Sequence, residues 1–227
     1  MKLYKLLDIK RGITSIIGGG GKTTLIHTLA DELKAFGTVV IMTTTHIKKS
    51  DVFKNIITDD STPLSHIAEE LKHHRCVCIG TKADNDKLTT PHFSFSELSL
   101  VCDYILVEAD GSKRLPLKAH LEYEPVIPCD SNATILVVGI DALENKAQDV
   151  THRVDRFCEI VSCKSTDIVS DTMVASLLKF ENLHDVVVIN KCDTFELTQK
   201  AELLSKKIYK KCIISSLLKG EWYVSSN

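Results

Sequence analysis

Short β-branched apolar runs alternate along the chain with stretches in which apolar residues recur every three or four positions. Residues 13–17 form the first run and end in glycines. Residues 22–36 place Leu25, Ile26, Leu29, Leu33 and Phe36 on one helical stripe. Gly37 is expected to end that helix as a left-handed cap. Residues 38–42 read as a second strand. Thr62 and Pro63 predict the cap and first turn of another helix, with Leu64, Ile67, Ala68 and Leu71 as its apolar face. The runs at 76–79, 104–107, 135–138, 186–189 and 212–214 are continuously apolar, which suits strands covered on both faces. Residues 195–209 predict the last long helix. Two stretches read as loops: the polar residues 82–95, and residues 111–130 with Pro116, Pro125 and Pro128. With no internal repeat or low-complexity linker, residues 1–227 read as one domain of alternating strands and helices, an α/β fold with a mostly parallel sheet.

Composition narrows the function classes. Hydrophobic residues make up 44% and charged residues 26%, as in soluble globular chains. The 28 Lys and Arg against 30 Asp and Glu leave a formal net charge of −2, which disfavours nucleic acid as a bulk partner. No run approaches the roughly 18–20 apolar residues of a membrane span. Lys2, Lys5, Asp8, Lys10 and Arg11 interrupt the N-terminus, so no secretory leader is read there and a cytoplasmic location is expected. The eight cysteines (Cys76, Cys78, Cys102, Cys129, Cys158, Cys163, Cys192 and Cys212) contain no C-x-x-C pair and read mostly as reduced core residues.

Gly18-Gly19-Gly20-Gly21-Lys22-Thr23-Thr24 is the strongest local signal, lying between a strand and an amphipathic helix. Successive glycines let backbone N–H groups curl around a phosphate, and the helix N-terminus adds its positive end. Lys22 is expected to reach the β- and γ-phosphates and the Thr23 hydroxyl to ligate Mg²⁺. The common G-x-x-x-x-G-K-[ST] spacing requires glycine at position 16, which is Ile16. The loop has instead the shorter G-x-x-G-K-T-T form, similar to that of Mur-type ATP-dependent ligases. It specifies the fold class further, as a P-loop NTPase-like three-layer sandwich.

Asn190-Lys191-Cys192-Asp193 stands at the end of an apolar strand, with a helix after it. This looks like the N-K-x-D motif of GTPases. A carboxylate at Asp193 can accept from both N1–H and the exocyclic amine of guanine, whereas adenine has no such donor pair. The Lys191 stem packs on the ring face and Asn190 braces the loop. The plainer alternative makes Asp193 an N-cap of the following helix. Ser215-Ser216-Leu217 ends another apolar strand and is similar to the S-A-[KL] loop that backs guanine in GTPases, with Ser for Ala.

Glu108 and Asp110, in Val107-Glu108-Ala109-Asp110-Gly111, end a buried strand at the edge where open α/β sheets bind ligands. They are candidates for the Mg²⁺ shell or for orienting a water, sharing one side by the period of 2. Lys113, Arg114 and Lys118 follow, either as binders of a second anionic substrate or as a solvated loop. Thr43-Thr44-Thr45-His46 offers hydroxyls and an imidazole at the same kind of edge. His152-Arg153 is a weaker candidate, and His73-His74-Arg75 reads as a polar helix end.

Together these segments resemble the YqeC family of selenium-dependent hydroxylase accessory proteins. The resemblance rests on residues 18–24, Met42-Thr43-Thr44-Thr45-His46, Glu108-Ala109-Asp110-Gly111-Ser112, Pro116-Leu117-Lys118, Glu124-Pro125-Val126-Ile127-Pro128, Gly139-Ile140-Asp141-Ala142-Leu143, His152-Arg153 and Asn190-Lys191-Cys192-Asp193. It implies a role in maturing molybdenum hydroxylases that carry a selenium-dependent cofactor. More widely, the pattern looks like the metal-insertion GTPases serving urease and nickel hydrogenase, without their Cys/His metal motifs. Three functions stay open: a Mg²⁺-dependent GTP hydrolase or phosphoryl transferase, an ATP-dependent ligase or kinase of a small anionic substrate, and a nucleotide-gated carrier for a partner enzyme.

Overall fold

A computed structural model describes residues 1–83 and 87–225. The chain divides into two compact units. One comprises Met1–Ile16, Leu25–Gly111 and Val126–Ala133; the other comprises Ile17–Thr24, Ser112–Pro125 and the chain from Thr134 onward. Each is α/β with mostly parallel strands, compatible with the expected P-loop-like sandwich.

In the first unit the strand Tyr104–Glu108 lies between parallel neighbours, Gly12–Gly18 and Val39–Thr43. The strand Cys76–Lys82 pairs in parallel with Val39–Thr43 and Lys54–Thr58, and antiparallel with Lys87–Thr89. The strand His46–Lys48 runs antiparallel to Lys87–Thr89. Val39 to Thr43 and Tyr104 to Glu108 are buried throughout, because a parallel strand covered on both faces has no polar side to alternate with. In the second unit residues 134–139 of the strand Ser131–Gly139, with Val186–Asn190 and Lys211–Ser216, are parallel, and Glu221–Val224 closes the edge antiparallel. Burying each Val or Ile of such strands contributes about 1.5–3 kcal/mol. Registered pairing sets Asn190 opposite Gly139 at the carboxyl edge.

Several boundaries differ from the sequence reading. The first long helix is Lys22–Leu33, ending before Phe36, which is exposed and stacks its ring 5.2 Å from Tyr4. Gly37 is not the left-handed cap: a Cβ there would stand 2.5 Å from the Asp103 carboxylate, whose Oδ2 accepts from the Thr38 N–H. Close approach, rather than backbone sign, requires that glycine. Pro63 is the N-cap of Leu64–His74 rather than its first turn, and Thr62 bonds back to Asp59. The last long helix is Phe195–Ser205. Of the expected loop at 82–95, residues 84–86 lie outside the described residues, while Lys87–Thr89 is a strand and Phe95 begins a short helix. The loop at 111–130 contains Leu117–Lys118, paired with Thr151–His152.

The helices Val154–Val161 and Asp171–Glu181 were not anticipated. Val154, Phe157, Cys158 and Val161 carry a helical stripe, but it is only two turns long. Among the described residues, no helix is long and apolar enough to cross a membrane. Cys76, Cys78, Cys192 and Cys212 are buried, and burial pushes their thiols up to about 12, 11, 12 and 12, so they pack as neutral core groups. Cys129 departs from the core reading, being exposed.

His184 precedes the strand Val186–Asn190 and is 4% exposed, and its Nδ1 has no hydrogen-bond partner. Burial, with Lys210 and His120 nearby, pushes it down from 6.5 to about 4 against the opposing pull of Asp185. Between those values the unfolded chain binds the extra proton, so stability falls as pH drops from 6.5 toward 4. The loss should reach about 3 kcal/mol. Urea unfolding at pH 7 and pH 4.5 checks this. His184→Gln should flatten the slope in that window, and an unchanged slope would remove His184 as its source.

Candidate functional site

The second unit gathers the glycine loop at residues 18–24, the segment Asn190–Asp193 and the segment Ser215–Leu217. Gly19 N–H donates to Val137 O (2.9 Å) and Gly20 N–H to Leu115 O (3.1 Å), while Gly139 N–H donates to Pro116 O (2.9 Å). The loop is thus laced to the end of the strand Ser131–Gly139 and to residues 115–116. Gly20 has φ +77°, and a Cβ there would strike the Gly139 backbone nitrogen. Gly21 has φ +130°, and its Cβ would meet the Asn190 amide. Both positions exclude side chains by conformation and by space. Lys22 is 4% exposed, and its Nζ donates to Gly18 O at 2.6 Å, so the ammonium folds across the loop. Thr23 is exposed and Thr24 half-buried in the first turn of the helix.

Asn190 joins this loop to the segment Ser215–Leu217. It is 5% exposed; its Nδ2 donates to Gly20 O (2.8 Å), and its Oδ1 accepts from Leu217 N–H (3.1 Å) and Ser215 Oγ (3.2 Å). Asn190 thus ties Gly20 to Ser215 and Leu217. Lys191 has φ +65°, and its Nζ pairs with Asp141 Oδ2 at 2.7 Å. Thr194, not Asp193, caps the helix Phe195–Ser205, accepting from Leu197 N–H. The plainer reading of Asp193 is therefore removed. Its Oδ1 accepts from Ser216 Oγ, and its carbonyl accepts from Lys219 Nζ. A half-buried carboxylate held by one serine keeps lone pairs for further donors. Ser215 and Ser216 are buried in the strand end.

Asp141 was not singled out as a site residue. Besides pairing with Lys191, it has a buried Oδ1 without a hydrogen-bond partner, next to the position that a Gly139 Cβ would fill. Its sequence signal was its place two residues beyond an apolar strand, at the same edge as Asn190.

The cationic loop separates into two kinds. Lys113 and Arg114 are exposed, at φ +49° and +64°. Lys118 departs from the solvated-loop reading: it is 2% exposed, with Nζ 3.4 Å from Glu124 Oε1. Arg153 bonds the same carboxylate through Nε (3.2 Å) and Nη2 (3.1 Å). Burial raises the Glu124 carboxyl, but Arg153 and Lys118 outweigh it and hold it below its usual range. Lys118 and Arg153 therefore anchor residues 117–125 through Glu124. His120 is likewise held, its N–H and Nδ1 both on the Glu181 carboxylate (2.6 and 2.8 Å).

In the first unit Glu108 and Asp110 are buried at the end of Tyr104–Glu108. The Thr43 hydroxyl donates to Glu108 O (2.8 Å), joining two strand ends, and the Thr44 hydroxyl donates to Val126 O (2.8 Å) in the loop that follows. His46 is exposed on the strand His46–Lys48. His73 and His74 lie in the last turn of Leu64–His74, the polar helix end expected. Among the described residues, no group of three or more His, Cys, Asp or Glu side chains is arranged to hold a metal ion.

The sequence model of the YqeC family, described as YqeC protein, matches residues 14–155. The chain belongs to the YqeC family. The matched segment includes the glycine loop, Glu108, Asp110 and Asp141, and ends before Asn190. The chain is 36% identical over 155 residues to a protein of Escherichia coli (strain K12) named Uncharacterized protein YqeC. That alignment covers 65% of this chain and 60% of the relative. No solved structure gives a significant match.

Proposed function

We propose that this YqeC-family chain is a Mg²⁺-dependent P-loop protein that binds GTP and hydrolyses it or transfers its γ-phosphoryl group. The reading places it as an accessory factor in the maturation of selenium-dependent molybdenum hydroxylases. The observation that carries the nucleotide reading is Asn190, whose single side chain ties Gly20 of the phosphate loop to Ser215 and Leu217 on the base side. Such a bond fixes the spacing between a phosphate cradle and a base reader.

In this reading the loop amides hold the phosphates, and Lys22 offsets the charge of the β- and γ-oxygens. Asp193 accepts from guanine N1–H and N2–H, with Ser216 orienting the carboxylate and Asp141 holding Lys191 along the ring face. The glycine cradle and the exposed Thr23 hydroxyl suit a Mg-nucleotide, and Mg²⁺ takes such hard oxygen donors. Bound Mg²⁺ supplies charge neutralisation at the phosphates. Glu108 and Asp110 are the sequence's carboxylate candidates for the metal or for water activation.

One observation favours the ligase or kinase reading as the second. Leu115 O accepts the Gly20 N–H, which sets the exposed Lys113 and Arg114 within two residues of the loop's anchor. Cations so placed suit an anionic co-substrate.

Calorimetric titration with GTP and ATP analogues, with and without Mg²⁺, separates the two. Tighter GTP binding is expected. Asp193→Asn should weaken it by roughly 100-fold, the worth of two hydrogen bonds to a charged acceptor. The same variant should gain affinity for XTP, because an amide can donate to the 2-oxo group of xanthine. An ATP preference in the wild type would overturn the guanine assignment and promote the ligase or kinase.

A further inference from the structure

Cys158 and Cys163 lie in the second unit at the end of the helix Val154–Val161, an element that carries none of the residues of the nucleotide reading. The helix stops at Ser162, which takes a left-handed conformation (φ +56°, ψ +50°), and the Cys163 N–H donates back to Cys158 O at 3.1 Å. This turn brings the two sulfurs to 3.7 Å, with Cys163 Sγ donating to Cys158 Sγ. Both residues are half-buried, so a reagent can reach them. The other thiols differ. Four are buried in the core, Cys102 donates to Leu98 O, and Cys129 is exposed.

We propose that Cys158 and Cys163 form a thiol–disulfide exchange site that takes glutathione-type disulfides and closes to an intrachain disulfide. Cys158 is the attacking thiol. Burial, the hydrogen bond to Cys158 and that neighbour's charge push Cys163 up to about 11, so Cys163 keeps its proton and offers it to the Cys158 sulfur. The Cys158 thiolate attacks one sulfur of glutathione disulfide, forming a mixed disulfide and releasing one glutathione thiolate. Cys163 then gives up its proton, and its sulfur attacks Cys158 Sγ, expelling the second glutathione. Two protein thiols are oxidised to one disulfide, one glutathione disulfide is reduced to two glutathiones, and the two protein protons leave with them. Since the turn already holds the sulfurs together, the second step needs only side-chain rotation.

Tryptic cleavage after Arg156 and Lys164 yields one peptide, residues 157–164, that carries both thiols and no others. The full chain is equilibrated with defined ratios of glutathione disulfide to glutathione, acid-quenched, alkylated with N-ethylmaleimide and mapped by mass. The expected peptide is lighter by two hydrogen atoms and unalkylated, while Cys129 carries at most a glutathione adduct. In Cys163→Ser the mixed disulfide should accumulate on Cys158. In Cys158→Ser the remaining thiol should react at least about tenfold more slowly. Double alkylation of the wild-type peptide in excess glutathione disulfide, or two separate glutathione adducts on it, would overturn the proposal. The wild-type mapping decides this even if a variant folds poorly.

Discussion

Lys22→Ala is expected to lower GTP affinity by at least about 100-fold, beyond what calorimetry detects at ordinary protein concentrations. The physical reason is that Lys22 is the cation within residues 18–24. The loop amides are neutral donors, Lys113 and Arg114 are exposed, and Lys118 is committed to Glu124. The ammonium already folds across the loop onto Gly18 O, so the side chain needs little reorganisation to meet a phosphate in the same space. Lys22→Arg should not restore binding, since a planar guanidinium does not fit a position shaped for a compact ammonium. Circular dichroism and urea unfolding of the same samples separate loss of binding from loss of fold. Tight binding by a folded Lys22→Ala protein would sink the phosphate-loop assignment, and with it the proposed chemistry.

The largest effect on stability is expected at Asn190. Asn190→Ala removes the donor to Gly20 O and the acceptor for both Leu217 N–H and Ser215 Oγ, in a place where water is excluded. Stranding the Leu217 N–H alone costs on the order of 1–3 kcal/mol, and the whole change about 3 kcal/mol. Nucleotide affinity should fall with it, because the phosphate loop and the Ser215–Leu217 segment lose their shared tie. Asn190→Asp tests this more finely. It keeps the acceptor but replaces the donor with a charge facing Gly20 O, so it should destabilise as much as Ala or more. Unfolding free energies from urea within about 0.5 kcal/mol of wild type for both variants would show that the bracing is not what orders the site.

The strand–glycine-loop–helix unit at residues 12–33 and the strand ending at Asn190 were legible because each is a local pattern with a local cause. Glycines before Lys22 answer a steric demand of the loop itself, and an apolar run ending in Asn190 marks a strand end wherever the strand packs. The end of the first helix was misjudged because Phe36 extends an apolar stripe that the chain leaves before using. Tyr4, remote in sequence, receives that ring instead. The two-turn helix Val154–Val161 fell below the length at which periodicity distinguishes a helix from a short apolar run.

Cap and base reader could not be separated by spacing, since Asp193 and Thr194 are adjacent and both carry side-chain oxygens that cap helices. The tertiary structure gave the cap to Thr194 and brought Ser216 to Asp193, which removes the capping reading and leaves base reading as the proposal. It likewise took Lys118 out of the cationic loop and made it one of two partners of Glu124, and it brought Asp141 to Lys191 from 50 residues away. The sequence by itself determined the alternation of buried strands and helices, the YqeC membership and the glycine run that opens the first long helix. These follow from backbone sterics and hydrophobic periodicity, which act over a few residues. Only the tertiary structure decided which charged side chain meets which partner, because ion pairs and buried hydrogen bonds join residues that periodicity does not relate.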